Sequence, residues 1–139
     1  ELTRAFRVDP PTPELAPHSA LEARIARFLD VRTRYLEALT PHRRASNAMI
    51  ANVPLLQKHR LKVRKRAREI VATWFAAELD QLKPASRTKW LTAIATLVDW
   101  EMWQSLRTFP TRSIAESRAA LELLLTAALN AVDAEARQK

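Results

Sequence analysis

Apolar side chains recur every three or four residues along most of this chain, which is the spacing of one face of an α-helix. Prolines interrupt the pattern, and proline disfavours a helix interior because it lacks an N–H and clashes with the preceding turn. The pattern predicts five helices, at residues 19–39 (helix A), 42–52 (helix B), 54–82 (helix C), 86–109 (helix D) and 113–136 (helix E). We therefore expect an all-α, antiparallel helical bundle.

Several helix ends carry local signals. Ser19 with Glu22, and Ser113 with Glu116, have the three-residue spacing of a capping box, which indicates the starts of helices A and E. Pro41 is expected to end helix A. Complete absence of glycine supports the helical prediction, because strand-rich folds depend on glycine in their turns.

The first eighteen residues differ from the rest. Four prolines fall within residues 9–17, so this stretch is interpreted as a linker, and residues 1–8 resemble the end of a helix. We expect further sequence upstream, because the chain opens on Glu1 in the middle of this pattern. The predicted division is a connecting helix end and linker over 1–18 and one functional domain over 19–139.

Helices D and E are apolar on more than one side, whereas a helix that packs only on its own domain needs one apolar stripe. The two helices are therefore expected to meet a second copy of the chain in an isologous four-helix interface. The candidate interface residues are Trp100, Leu123, Leu124, Ala127 and Ala131. The alternative is that the alanine-rich faces are simply good helix formers in water.

Net charge and residue types restrict the classes of function that the chain could have. With 23 Lys and Arg against 15 Asp and Glu the net charge is +8, which suits an anionic partner such as DNA or RNA. Seven of the eleven residues 58–68 are basic, and this run either binds phosphates or forms the solvated face of helix C.

The absence of cysteine excludes a thiol nucleophile and a disulfide framework. No signal peptide or long apolar run is present, so we expect a soluble intracellular protein.

Catalytic motifs are absent from the sequence. The three histidines, His18, His42 and His59, do not cluster, and no Gly-rich phosphate loop or metal-binding motif occurs. We expect neither an enzyme nor a cofactor or metal.

The aromatic residues, in contrast, are numerous enough to line an apolar cavity between helices. The candidate ligand-binding residues are Tyr35, Met49, Trp74, Phe75, Asp99 and Trp103. A buried Asp99 could orient a cationic or hydroxylated ligand, and an exposed Asp99 is the alternative. Core packing is the alternative for each aromatic residue.

Three segments resemble TetR-family transcriptional regulators. Residues 97–107 (LVDWEMWQSLR) and 113–122 (SIAESRAALE) are similar to the last two helices of such proteins, and 41–45 (PHRRA) is similar to the start of a middle helix. By this resemblance Trp100, Trp103, Leu106 and Arg107 match a motif that chiefly supports packing. One departure is clear: nothing before residue 19 supplies the helix-turn-helix of that family.

The resemblance implies the regulatory half of a repressor in the bacterial cytoplasm. Such a domain would bind a small apolar or aromatic effector and form a homodimer, thereby controlling operator DNA binding by an upstream helix-turn-helix. The alternative hypothesis is a helical nucleic-acid-binding or scaffold protein that uses the basic 58–68 face directly. An enzyme in a helical bundle ranks third, since no credible acid/base pair is present.

Overall fold

The chain is all-α, as predicted. A computed structural model describes residues 19–138, and this range contains six α-helices, one 3₁₀ helix and no β-strand. The α-helices are α1 (Leu21–Asn47), α2 (Pro54–Trp74), α3 (Ala76–Leu79), α4 (Pro84–Leu97), α5 (Trp100–Thr108) and α6 (Ile114–Arg137), and the 3₁₀ helix is Ile50–Asn52. The connecting helix end and linker predicted for 1–18 lie outside the described residues.

Predicted helix A and residues 42–47 of predicted helix B form one continuous helix, so the predicted end at Pro41 is wrong, and residues 50–52 form a separate 3₁₀ helix. α1 begins at Leu21, and its N-cap is Ala20 without a side-chain capping hydrogen bond, so the capping box predicted from Ser19 and Glu22 is wrong. Pro41 lies exposed in the interior of the helix. The helix persists because it is buried on both sides of the proline: Leu36 is in the core, and Arg43 is bound to α5. Packing of this kind routinely outweighs the local propensity of a single residue.

Predicted helices C and D are each interrupted. Helix C ends at Trp74, and Phe75, which is completely buried, leaves helical geometry before the short α3. Helix D divides at Val98 and Asp99 into α4 and α5. Asp99 is the N-cap of α5, and its carboxylate accepts a hydrogen bond from the Met102 N–H at 3.0 Å. Aspartate is among the best N-cap residues, which favours a new helix start here.

α6 agrees with its prediction to within one residue at each end. Ser113 is its N-cap, and the hydroxyl accepts a hydrogen bond from the Glu116 N–H at 3.1 Å. The same hydroxyl also lies 3.0 Å from the Glu116 carboxylate, which confirms the capping pair.

A single apolar core joins the helices. Phe28 of α1 lies at its centre, with edge-to-face contacts to Trp74 at 5.5 Å and Phe75 at 5.3 Å between ring centroids. α6 crosses the bundle and contacts α1, α3, α4 and α5. Its contribution to the core is one stripe of fully buried side chains, namely Leu121, Leu125, Leu129 and Val132.

Candidate functional site

The break between α4 and α5 creates a polar junction with α1. In a continuous helix the Met102 N–H would donate to the Val98 carbonyl, but here the Asp99 carboxylate takes that donor. The Val98 carbonyl instead accepts a hydrogen bond of 2.8 Å from Nε of Arg32 on α1. A buried arginine of α1 therefore completes the hydrogen bonding of the interrupted helix.

Further along α1, a second arginine joins the same junction. Arg43 is buried, its guanidinium lies 5.4 Å from the Trp100 ring centroid, and its Nη2 donates to Glu101 at 2.6 Å. Trp100 donates from its indole N–H to the Thr40 hydroxyl at 3.0 Å. Glu101 also lies 4.0 Å from Arg64, so this carboxylate links α1 to α2 through α5.

A small cavity lies between α1, α2 and the start of α5. Its volume is about 20 Å³, which is the space needed for a single water molecule. Of the predicted ligand-binding residues, the structure brings Tyr35 and Asp99 together here. The lining residues are Arg32, Tyr35, Leu36, Leu39, Arg43, Val63, Arg64, Ala67, Asp99, Trp100 and Glu101.

Burial shifts the ionisation of two groups at this cavity. The pKa of Arg32 is lowered because desolvation disfavours its charged form, an effect that Tyr35 and Asp99 partly oppose. Desolvation likewise raises the pKa of Asp99, while the hydrogen bond from the Met102 N–H lowers it. The site thus holds a cation and an anion that both lose hydration energy by being there.

The other predicted ligand-binding residues lie elsewhere. Trp74, Phe75 and Trp103 are buried in the packed core, and Trp103 donates its indole N–H to Glu37 at 3.0 Å. Met49 is 53 % exposed, lies between the end of α1 and the 3₁₀ helix, and does not line the small cavity. These four residues therefore do not form one pocket with Tyr35 and Asp99.

Sequence reasoning missed Arg32 and Arg43. A usable signal exists: both arginines fall on the apolar stripe of α1 that includes Leu36 and Leu39, at a spacing of eleven residues. An arginine on an otherwise apolar face indicates a buried charge with specific partners.

A larger groove of about 420 Å³ lies beside the α2–α3 corner. Its size suits a small molecule, but its wall consists mainly of alanines and polar side chains, with Trp74 as its aromatic residue. Arg24, its cation, already bonds to the Ser19 carbonyl, the Trp74 carbonyl and Glu78. Among residues 19–138 this groove offers no unpaired cation to orient a ligand, so the small cavity is the better candidate site.

The outer face of α6 is apolar and exposed. Leu123 is 73 % exposed and Leu124 is 40 % exposed, and Ala127 and Ala131 also face solvent. Trp100, predicted with them, is instead buried in the protomer and bonded to Thr40, so it does not belong to this surface. The Trp100 side chain packs in the junction between α5 and α1.

The basic run forms the solvated face of α2. Lys58, Lys62, Lys65 and Glu69 are exposed, whereas the first buried residue of the helix is Ala67. The structure therefore agrees with the interpretation of this run as the solvated face of its helix.

Neither a protein-family model, a curated protein nor a solved structure matches this chain. No described helix combines the length and apolar character needed to cross a membrane. Within residues 19–138 no group of three or more acidic or histidine side chains could hold a metal ion.

Proposed function

We propose that this chain is the regulatory domain of a TetR-like transcriptional repressor, which binds a small effector and dimerises through α6 to control operator binding by an upstream helix-turn-helix. The observation that carries the proposal is the exposed apolar face of α6. Monomeric proteins rarely leave large apolar side chains together in water, and such faces usually mark interaction sites. The cavity at the α1–α5 junction supplies the candidate effector site.

A second copy of the chain is the partner that the α6 face fits best. The small side chains of Ala127 and Ala131 permit two helices to approach closely, and Leu123 supplies apolar area. An antiparallel pairing about a two-fold axis at Ala127 would place Leu123 against the partner subunit's Ala131. The same axis would bring Glu116 near the partner subunit's Arg137, so the opposite charges at the two ends of α6 are complementary.

Dimerisation is the first prediction. Light scattering after gel filtration should give a mass near twice the 15.9 kDa of the chain at micromolar concentration. Ala127→Glu should give the single-chain mass, because it buries two like charges at the two-fold axis. Ala77→Glu is the matched control: Ala77 is an exposed alanine of α3, outside the α6 face, and its replacement should leave the dimer intact.

Circular dichroism of both variants checks that the helical fold is retained. A wild-type chain that stays monomeric up to high micromolar concentration would rule out the dimer and, with it, this mechanism of control.

The exposed basic face of α2 favours direct nucleic-acid binding as the second candidate function. Arg64 and Arg66 add to Lys58, Lys62 and Lys65, and their side chains are 64 % and 52 % exposed. Two carboxylates, Glu69 and Glu101, lie within ion-pair distance of this run. The face is therefore strongly positive and open to phosphates.

Salt-dependent binding of duplex DNA by this chain tests that candidate. Reversal of Lys58, Lys62 and Lys65 to glutamate should weaken binding and lower the slope of log K against log salt by about three, one for each phosphate that the variant no longer neutralises. The control reverses Arg27, Lys83 and Lys89, which are exposed on α1 and beside or within α4. Equal losses of affinity in both triple variants would mean that net charge, and not the α2 face, attracts the DNA.

A further inference from the structure

We propose that the cavity between α1, α2 and the start of α5 binds a small aromatic carboxylate, with Arg32 and Arg43 as the groups that recognise its negative charge. This inference rests on the proposed effector-binding function and names the chemical class of the effector. It keeps the aromatic character expected of the effector, and it departs from the cationic or hydroxylated ligand expected for a buried Asp99.

Unused hydrogen-bond donors point to an anion. Arg32 is 6 % exposed and only its Nε has a hydrogen-bond partner among residues 19–138, namely the Val98 carbonyl. Arg43 is 8 % exposed, and its Nε is buried with no partner in the described part of the chain. A buried donor without a partner, as Nε of Arg43 is, costs stability, and a carboxylate that accepts from this atom and from the terminal nitrogens of Arg32 would remove that cost.

The charges around the cavity favour a single negative charge. Three arginines face two carboxylates there, and Glu101 is already shared between Arg43 and Arg64. The Asp99 carboxylate accepts from the Met102 N–H, and no carboxylate oxygen of residues 19–138 lies within 4.0 Å of the Arg32 guanidinium. A monoanion would balance Arg32, whereas a cation would add a fourth positive charge to the site.

The remaining wall favours an aromatic ring. Tyr35 stacks with the Arg32 guanidinium at 5.2 Å, and Trp100 stacks with Arg43 at 5.4 Å. Leu39 and Val63 complete an apolar lining next to these rings. A ligand with a carboxylate on a short arm and a flat ring would match both parts of the site.

Access requires α2 to move outward. Its residues 54–66 contribute no fully buried side chain, whereas Ala67, Ile70, Val71 and Trp74 anchor its second half in the core. The α2 wall of the cavity consists of Val63 and Arg64, which belong to the first half, and of Ala67, which is the first anchored residue. A weakly packed helix half of this kind opens at low cost, and its displacement would enlarge the cavity from the size of one water to that of a ring.

The test compares three probes of nearly equal shape: phenylacetate, its neutral amide 2-phenylacetamide and the cation phenethylamine. Isothermal titration calorimetry measures the affinity of each probe. Tryptophan fluorescence reports binding independently, because Trp100 lies at the site. We expect phenylacetate to bind at least about tenfold more tightly than the amide, because the neutral amide forms no ion pair with the guanidiniums and offers them one acceptor oxygen instead of two. The amine should be the weakest ligand.

Arg32→Gln and Arg43→Gln should each remove the preference for phenylacetate over the amide. Arg34→Gln, an exposed position on the same helix, loses the same charge and should keep the preference. Arg43→Lys keeps the positive charge and should retain part of the preference for phenylacetate. This variant therefore distinguishes a loss of recognition from a loss of folding if a glutamine variant is unstable.

Equal affinities for phenylacetate and the amide, or a preference for the amine, would overturn the anionic assignment and leave the proposed effector pocket in place. Failure of all three probes to bind at millimolar concentration would overturn the pocket as well. In that case the dimer measurement alone would remain to support the regulatory proposal.

Discussion

Replacement of Phe28 by alanine should lower the free energy of unfolding by about 3–5 kcal/mol. Phe28 is 2 % exposed and makes edge-to-face contacts with Trp74 and Phe75, two residues that end α2 and begin the turn into α3. Truncation removes its apolar area from the core and leaves a cavity between helices that are anchored on other sides, so the walls cannot collapse fully. The variant also lacks the favourable edge-to-face geometry between the aromatic rings.

Denaturation in urea, followed by far-UV circular dichroism, measures this loss as a shift in midpoint at unchanged slope. Val31→Ala is the control, because Val31 lies three residues further along α1 and is 36 % exposed. It should cost less than about 1 kcal/mol. A Phe28→Ala variant no less stable than Val31→Ala would show that α1 does not pack on the α2–α3 corner as described.

The helix that the sequence predicts best, α6, has a local start signal that the structure uses. The prediction for α6 is correct to within one residue because Ser113 and Glu116 form the capping pair themselves. Such signals involve residues three or four apart, so no knowledge of the tertiary structure is needed.

The errors arise where tertiary contacts outweigh local rules. Pro41 is a strong local signal for a helix end, yet α1 continues because Leu36 and Arg43 on either side of it are fixed by the core and by α5. The opposite error occurs at Asp99, where an unbroken apolar period conceals a helix start. The period alone does not distinguish a helix from two helices whose buried faces happen to align.

The candidate site is harder to predict than the fold. Aromatic residues of the core and of a cavity have the same periodicity, so the sequence does not separate Trp103, which packs in the core, from Tyr35, which lines the cavity. The arginines escape prediction for another reason. The partner of Arg32 is the Val98 carbonyl, 66 positions away, and that carbonyl is free only because Asp99 interrupts the helix.

Replacement of Glu78 by alanine should cost about 3–5 kcal/mol, because it leaves Arg24 as a buried charge without its counter-ion. The two side chains form a bidentate pair, with N–O distances of 2.7 and 2.6 Å, and are only 6 % and 12 % exposed. The hydrogen bond to Glu78 is the main reason that the pKa of Arg24 is raised. In the variant the carbonyls of Ser19 and Trp74 are the partners that remain to this arginine among residues 19–138.

Asp80→Ala is the matched control, since Asp80 pairs with Arg87 at 2.9 Å on the same corner but its side chain is 61 % exposed. An exposed pair contributes about 0–1 kcal/mol, because water screens the charges and solvates either partner alone. Equal small losses of stability in Glu78→Ala and Asp80→Ala would mean that the Arg24 pair is open to water in solution.

The double variant Arg24→Met, Glu78→Leu separates the cost of an unpaired charge from the value of the pair. Removal of both charges should restore most of the stability lost in Glu78→Ala, since apolar side chains of similar volume often replace a buried ion pair without loss. The recovery should be incomplete, because the Trp74 carbonyl, at the C-terminal end of α2, no longer has the donor that Arg24 provides at 3.1 Å.

Arg24 at this corner and Arg32 at the α4–α5 break are alike in one respect, because each is a cation on α1 that donates to a carbonyl left at the end of another helix. They differ in charge balance: Arg24 is neutralised by Glu78, whereas Arg32 has no carboxylate at ion-pair distance among residues 19–138. The double variant should therefore leave the affinity for phenylacetate unchanged, since a ligand carboxylate has an unbalanced cation to pair with at Arg32 and none at Arg24. The calorimetric titration described for the arginine variants measures this affinity. A weaker affinity for phenylacetate in the double variant would mean that the anion binds at the Arg24 corner and not at Arg32.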